Sequence, residues 1–309
     1  MRHVLVAFGS AVLASGMLAS AQPASAADDT WVSATGADAG DCPIAAPCRT
    51  LRYALAQTTA GGTIIILASG RYGPVHIAKS VHIIAEGVAA EITRAGNCGA
   101  AICVEAGSND VISLRGLTIS LSDSQKDAIR FSSGGALDVD RCTVEGNLRY
   151  GVLFSPSTSA KLYVADSRFS VGTAAAQIGS TGGVQHVLFN KVSSHNSLHG
   201  IGVGGFGSTG SIVATVRDSA IGSFWGSGIG VYTDGGAVAI ELMIDRTVIA
   251  NGAYGVDIVS GQNANVRMGD STLSGHQIGG VNGAVASYGT NKVVQSVDGI
   301  AIPNVIPMK

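Results

Sequence analysis

The sequence predicts an all-β chain wound as a right-handed parallel β-helix, with three strands per coil and coils of about 25 residues. Two ladders and the composition predict it. A Gly-aliphatic step recurs at Ala128-Ile129-Arg130-Phe131, Gly151-Val152-Leu153-Phe154, Ala176-Gln177-Ile178, Gly200-Ile201-Gly202-Val203, Gly228-Ile229-Gly230-Val231, Gly255-Val256-Asp257-Ile258 and Gly280-Val281. Counted from Ile129, the steps are 23, 26, 23, 28, 27 and 25 residues. A turn residue between two short apolar stretches keeps the same beat at Gly116, Arg141, Asp166, Asn190, Asp218, Asp245 and Asp270, with steps of 25, 25, 24, 28, 27 and 25. Two ladders in phase imply stacked repeats rather than one central core. The composition agrees: 43 Gly and only 13% charged residues suit short strands joined by tight turns and do not suit helices.

Residues 1–26 read as a secretory signal peptide. Arg2 and His3 form a basic start, Val4 to Ala19 is apolar, and Ala24-Ser25-Ala26 is a small-residue cleavage site. The apolar run is short for a bilayer, and no later stretch offers about 20 apolar residues. A secreted or periplasmic chain of 283 residues is expected, cleaved after Ala26. Its net charge, −2 before cleavage, offers no basic field for nucleic acid.

Residues 27–60 are expected to cap the first coil. Trp31-Val32-Ser33 reads as a strand, and Thr50 to Gln57 places Leu51, Ala54 and Leu55 on one helical face. A solenoid needs such a cover, because a bare end exposes core and unpaired backbone. Coils are expected over 61–290, eight or nine in number, and a C-terminal cap or tail over 291–309. Each coil runs from a Gly-Ile-x-Val strand into a Gly/Ser/Thr/Asn loop, such as Gly204 to Gly210 or Ser260 to Asn263. A second strand, the turn residue and a third strand follow. The turn ladder has a structural reason: a sharp bend often needs positive φ, which Gly accepts and Asn and Asp tolerate best. Arg141 is the exception in the series.

Of five cysteines, the near neighbours Cys42 and Cys48, and Cys98 and Cys103, are expected to form disulfides in an oxidising compartment. Cys142 follows a turn residue, as Ser167, Ser219 and Ser271 do, and is expected inside as a small buried residue. No Cys or His spacing suits a metal; His195 and His199 are four apart but sit in coil turns. The stretch Gly202-Val203-Gly204-Gly205-Phe206-Gly207 has the glycine spacing of a dinucleotide loop, but no helix follows it, so no cofactor is expected.

The N-terminal segment resembles the start of secreted right-handed β-helix proteins of the pectate-lyase-like superfamily. The residues that carry the resemblance are Trp31 to Asp38, Pro47-Cys48-Arg49-Thr50-Leu51, Ala54-Leu55, Gly61 to Ile66 and Gly70-Arg71-Tyr72-Gly73, continued by Arg115 to Ile119 and the coils. The tail Ser287-Tyr288-Gly289-Thr290-Asn291 is similar to the close of a bacterial subgroup whose members mostly lack an assigned activity. The resemblance implies a fold and leaves function to the site.

Alternation puts Arg130, Leu153, Gln177, Gly202, Gly230, Asp257 and Asn282 on the outer face of the Gly-Ile-x-Val sheet, with Tyr232 beside them. Only one is a carboxylate, whereas the resemblance implies paired or clustered acids for a hydrolase. The Trp-Ile-Asp-His signature of pectate lyases and the Asp-Pro-His-Asp signature of alginate epimerases are absent. Tyr150, His199 and Tyr254 each precede a coil glycine and are expected to line one edge. The reading is therefore a monomeric polysaccharide-binding or envelope-associated module, with Arg130, Tyr150, His199, Tyr232, Tyr254 and Asp257 as its candidate ligand surface. Gly202 and Gly230 are expected to leave room for a polymer. The alternatives are a lyase or glycoside hydrolase with a non-standard site, and a structural or adhesion protein.

Overall fold

The computed structural model describes residues 27–222, 225–259, 263–294 and 304–305. The expected signal peptide, part of the Ser260–Asn263 loop and most of the expected tail lie outside the described residues. The chain winds through three parallel sheets of 12, 10 and 9 strands. The first runs from Ala27–Val32 to Asn304–Val305, the second from Gly70–Tyr72 to Lys292–Val294, and the third from Val75–Ile77 to Gly279–Asn282. Nine strands in the shortest sheet match the expected eight or nine coils.

Strict alternation drives the winding. In Val238–Asp245 every second residue, Val238, Ile240, Leu242 and Ile244, is buried, and the residues between face out. Parallel stacking then sets each inward residue on its equivalent in the next coil. Ile112, Leu137, Leu162, Val187, Ala214, Leu242, Val266 and Val285 form one such column. In the third sheet the column is Ile102, Ile129, Val152, Ala176, Ile201, Ile229, Val256 and Val281. The predicted ladder is thus one continuous stack, with one correction: Ala176 occupies the place assigned to Ile178, which pairs instead with Phe154 and Val203. Phe131 and Phe154 stack in the interior, ring centres 4.7 Å apart.

The corner between the first and second sheets is a one-residue bend. Positive φ occurs at Gly116, Arg141, Asp166, Lys191, Asp218, Arg246 and Asp270. Lys191 and Arg246 therefore replace the expected Asn190 and Asp245, which end the preceding strand. Gly116 is obligatory, since a Cβ there would lie 2.0 Å from the Ala85 carbonyl oxygen. At the same corner Arg246 reaches across a coil to Asp218, at 2.7 Å.

The next residue turns inward. The hydroxyls of Ser167, Ser219 and Ser271 donate to the carbonyls of Ala165, Arg217 and Gly269 at 2.7 Å. They accept from the N–H groups of Cys142, Val192 and Thr247 in the coil before. Cys142 is buried in this column, as expected, and desolvation pushes its thiol up to about 12.

Helix α1, Leu51–Gln57, starts at Thr50, whose hydroxyl accepts from the Tyr53 N–H; Leu51, Ala54 and Leu55 are its buried residues. Stacking begins earlier than the expected cap boundary, because Ala27–Val32 already pairs with Thr58–Ile66. At the other end Lys292–Val294 still pairs with Thr272–Ser274, and Asn304–Val305 with Ala286–Ser287. Cys42 pairs with Cys48 and Cys98 with Cys103.

Candidate functional site

The outer face of the third sheet carries the residues singled out in the sequence. Its central column reads His76, Cys103, Arg130, Leu153, Gln177, Gly202, Gly230, Asp257 and Asn282. The leading edge has Tyr150, Ala174 and His199 in register, then Ser227, Tyr254 and Gly279. The two ends of this face differ.

Arg130 belongs to a closed network. Asp127, fully buried, accepts from Arg130 Nε and Nη2 at 2.9 and 2.7 Å, and from Arg149 Nε and Nη2 at 2.9 Å each. Arg130 Nη1 also donates to the Cys98 carbonyl at 2.7 Å, so the Cys98–Cys103 loop holds the guanidinium from a second side. Arg149 in turn lies over the Tyr150 ring, 5.0 Å from its centre. A buried carboxylate needs such partners, and here the candidate cation serves that need. Asp127 and Arg149 escaped the sequence reading; the i, i+3 acid–base pair of Asp127 and Arg130 was the available signal.

The other half holds an open groove of about 510 Å³ over Tyr150, Gln177, His199, Phe206 and Tyr232. Its floor is not bare. Gln177 leans across Gly202, where a Cβ would meet its Oε1 at 2.4 Å, and its Nε2 donates to the Gly204 carbonyl at 2.6 Å. The Tyr232 ring folds back over Gly230, with its Cε2 at 3.0 Å from where a Cβ would stand. The expectation that the two glycines leave room for a polymer is therefore corrected: each makes room for a side chain of this chain.

Around that floor the polar groups are held in place. Asp257 accepts from Ser227 Oγ at 2.9 Å and from Asn282 Nδ2 at 2.8 Å. His199 Nδ1 accepts from the Ser227 N–H at 3.3 Å, and the imidazole lies so close to Gly226 that a Cβ there would be 2.4 Å from Cε1. Desolvation pulls the His199 pKa down, against the opposing pull of Asp257. The ring is thus neutral at pH 7, and with Nδ1 accepting, its proton sits on Nε2. Burial, and then the Asp257 charge, raise the Tyr232 phenol, which stays protonated. The groove therefore offers two donors, His199 and Tyr232, and several aromatic faces, while Asp257 stands outside its lining and acts on both donors through its charge.

Asp257 has Gly230 and Asn282 as its column neighbours, so the two carboxyls of acid/base glycoside hydrolysis are not assembled there. Tyr254 packs beside Gly279, one edge position beyond Ser227 and away from the groove lining. Phe206, fully exposed at the far rim, was not singled out in the sequence. Among the described residues, no three His, Cys, Asp or Glu side chains could together hold a metal ion. No described helix is long and apolar enough to cross a membrane.

The sequence matches the family described as "Right handed beta helix region" over residues 127–297, more than half of the chain. This chain is a member of the right-handed β-helix family. No curated protein matches it in sequence. Among solved structures, this β-helix is similar to the pectin methylesterase of Aspergillus niger in deglycosylated form, at 10% identity and a TM-score of 0.44, covering 90% of this chain and 88% of that one. It is also similar to the A-module of the mannuronan C-5 epimerase AlgE4 of Azotobacter vinelandii, at 13% identity and a TM-score of 0.33, covering 81% of this chain and 91% of that one. At these identities the likeness concerns backbone winding and says nothing of the site.

Proposed function

We propose that this β-helix is an exported polysaccharide-binding protein whose ligand lies in the groove between His199 and Phe206. The observation that carries the reading is the pairing of aromatic faces with fixed polar groups. Tyr150, Phe206 and Tyr232 offer ring surface for sugar faces, while His199 and Tyr232 offer donors for hydroxyls and Asp257, outside the lining, supplies a neighbouring acceptor. Coils rise about 4.8 Å apart, close to the length of one sugar unit in an extended chain, so successive coils can meet successive units. The signal-like residues 1–26 and the two cysteine pairs fit an oxidising, extracytoplasmic setting.

The test is retention on immobilised plant, algal and bacterial polysaccharides, followed by calorimetry with the matching oligosaccharide. Binding to at least one class is expected, weakened at least ~10-fold in Tyr232→Ala, a loss of about 1.4 kcal/mol. Failure to bind any class sinks the proposal.

A second reading, a carbohydrate-active enzyme, is favoured by one feature: His199 and Tyr232 share a groove in which both keep their protons at neutral pH, under the influence of the Asp257 charge beside it. Release of unsaturated products or reducing ends, abolished in Tyr232→Phe, would establish it.

A further inference from the structure

A second groove runs along the corner between the second and third sheets, behind the Tyr150–His199 edge. It is open, about 820 Å³, and lined at successive coils by Gly172, Ser197, Trp225, Asn251 and Gln277. Five coils span about 19 Å, the length of a short oligomer rather than of a small solute. None of its lining residues is charged.

Trp225 is part of its lining, 82% exposed, as is Leu198 at 42%. An indole so far from the core adds nothing to packing and offers a broad face to solvent. The polar groups beside it are amides. Asn196 reaches only the Ser170 hydroxyl, at 3.5 Å, and the Asn251 and Gln277 amides have no hydrogen-bond partner among the described residues. Asn196 and Asn251 each hold positive φ, which fixes the corner from which they project. Gly275 is the seat of Asn251, whose Oδ1 would lie 2.8 Å from a Cβ there.

We infer that this corner is a second glycan-binding site, which takes an uncharged polysaccharide chain lying along the helix axis with one sugar stacked on Trp225. The inference rests on the polysaccharide reading of the neighbouring groove for its ligand class. The choice of an uncharged chain comes from the corner itself. A uronate polymer would bring a carboxylate at every unit to a groove without a cation, whereas amides both donate to and accept from neutral hydroxyls. An apolar peptide or a second copy of this chain could cover Trp225, but neither would use the side-chain amides of the coils on either side of it.

The test follows tryptophan emission of the full mature chain during titration with β-linked hexasaccharides of glucose, xylose and mannose, and with hexamers of galacturonate and mannuronate. A blue shift with at least one neutral hexamer and none with the uronates is expected. By calorimetry, since it lacks the reporting indole, Trp225→Ala should bind that neutral hexamer at least tenfold more weakly without changing the melting temperature, and Tyr232→Ala should leave the emission response in place. Equal affinity of Trp225→Ala and the parent chain for every probe overturns the inference, while loss in Tyr232→Ala alone would leave the first groove standing. A parent chain that sediments as a dimer, with Trp225→Ala a monomer, also overturns it, since the indole would then cover a second copy.

Discussion

Asp127 and Asp257 lie on the same sheet, five coils apart, and have opposite fates. Asp127 is fully buried and receives four hydrogen bonds from two arginines, so its charge is spent inside the protein. Asp257 is held by one hydroxyl and one amide, with no ion pair among the described residues. The first half of the outer face is a closed electrostatic unit, stapled by the Cys98–Cys103 loop. The second half keeps its polar groups oriented and accessible. On the proposed reading, incomplete neutralisation, rather than density of charge, marks the ligand surface of this solenoid.

The contrast predicts its largest effect on stability. Asp127→Asn leaves the Arg130 and Arg149 guanidiniums without their common carboxylate, and removing one partner of a buried pair is costly. We expect a loss of about 3 kcal/mol by urea denaturation, tempered by the partial exposure of both arginines. A loss below about 0.5 kcal/mol would show that the network is not the staple described and would erase the distinction between the halves.

The sequence made the columns legible because two periodicities reinforce one another. Alternation by two decides inside from outside, and coil stacking forces each position onto its equivalent. The slips were of one or two residues and share one cause. Residue type points to Asn190, Asp245 and Ile178, whereas the register places Lys191, Arg246 and Ala176 in those columns. A positive φ tolerated by outward Lys or Arg at a solvated corner leaves no compositional mark. Gly202 and Gly230 announced missing Cβ atoms but not that Gln177 and Tyr232 would lean into the space. Phe206 and Trp225 sit in loops that break period, so neither ladder reaches them.

Acid should separate the halves next. His276 is buried at the far end of the open half, with Nε2 beside the Ile249 carbonyl and Nδ1 without a partner. Desolvation lowers its pKa below the unfolded value of about 6.5. The folded state then binds fewer protons than the unfolded one. The stability this supplies is whole above about pH 6.5 and is lost as pH falls from there through the depressed folded value. Amide hydrogen exchange in Ala264–Gly269 and Thr272–Ser274 should accelerate between pH 6.5 and 5, after correction for intrinsic rates, while Asp127–Ser133 stays protected. His276→Gln should flatten that slope; an unchanged slope would assign the acid response elsewhere.

The smallest stability effect belongs to Asp257→Asn. The amide oxygen still accepts from Asn282, and the new NH₂ group can donate to the Ser227 hydroxyl once that turns to accept, so both contacts survive and only their charge-assisted character is lost at a partly exposed site. About 0.5 kcal/mol is expected, several-fold less than for Asp127→Asn. On the proposed reading, glycan affinity should respond in the reverse order, falling about tenfold for Asp257→Asn and little for a folded Asp127→Asn at low temperature, because only Asp257 has a carboxylate free of cations beside the proposed groove. Measured side by side by denaturation and calorimetry, the two substitutions convert a difference in hydrogen-bond partners into a crossing of two orders. Two variants that moved stability and binding in parallel would mean that both acids serve the scaffold alone.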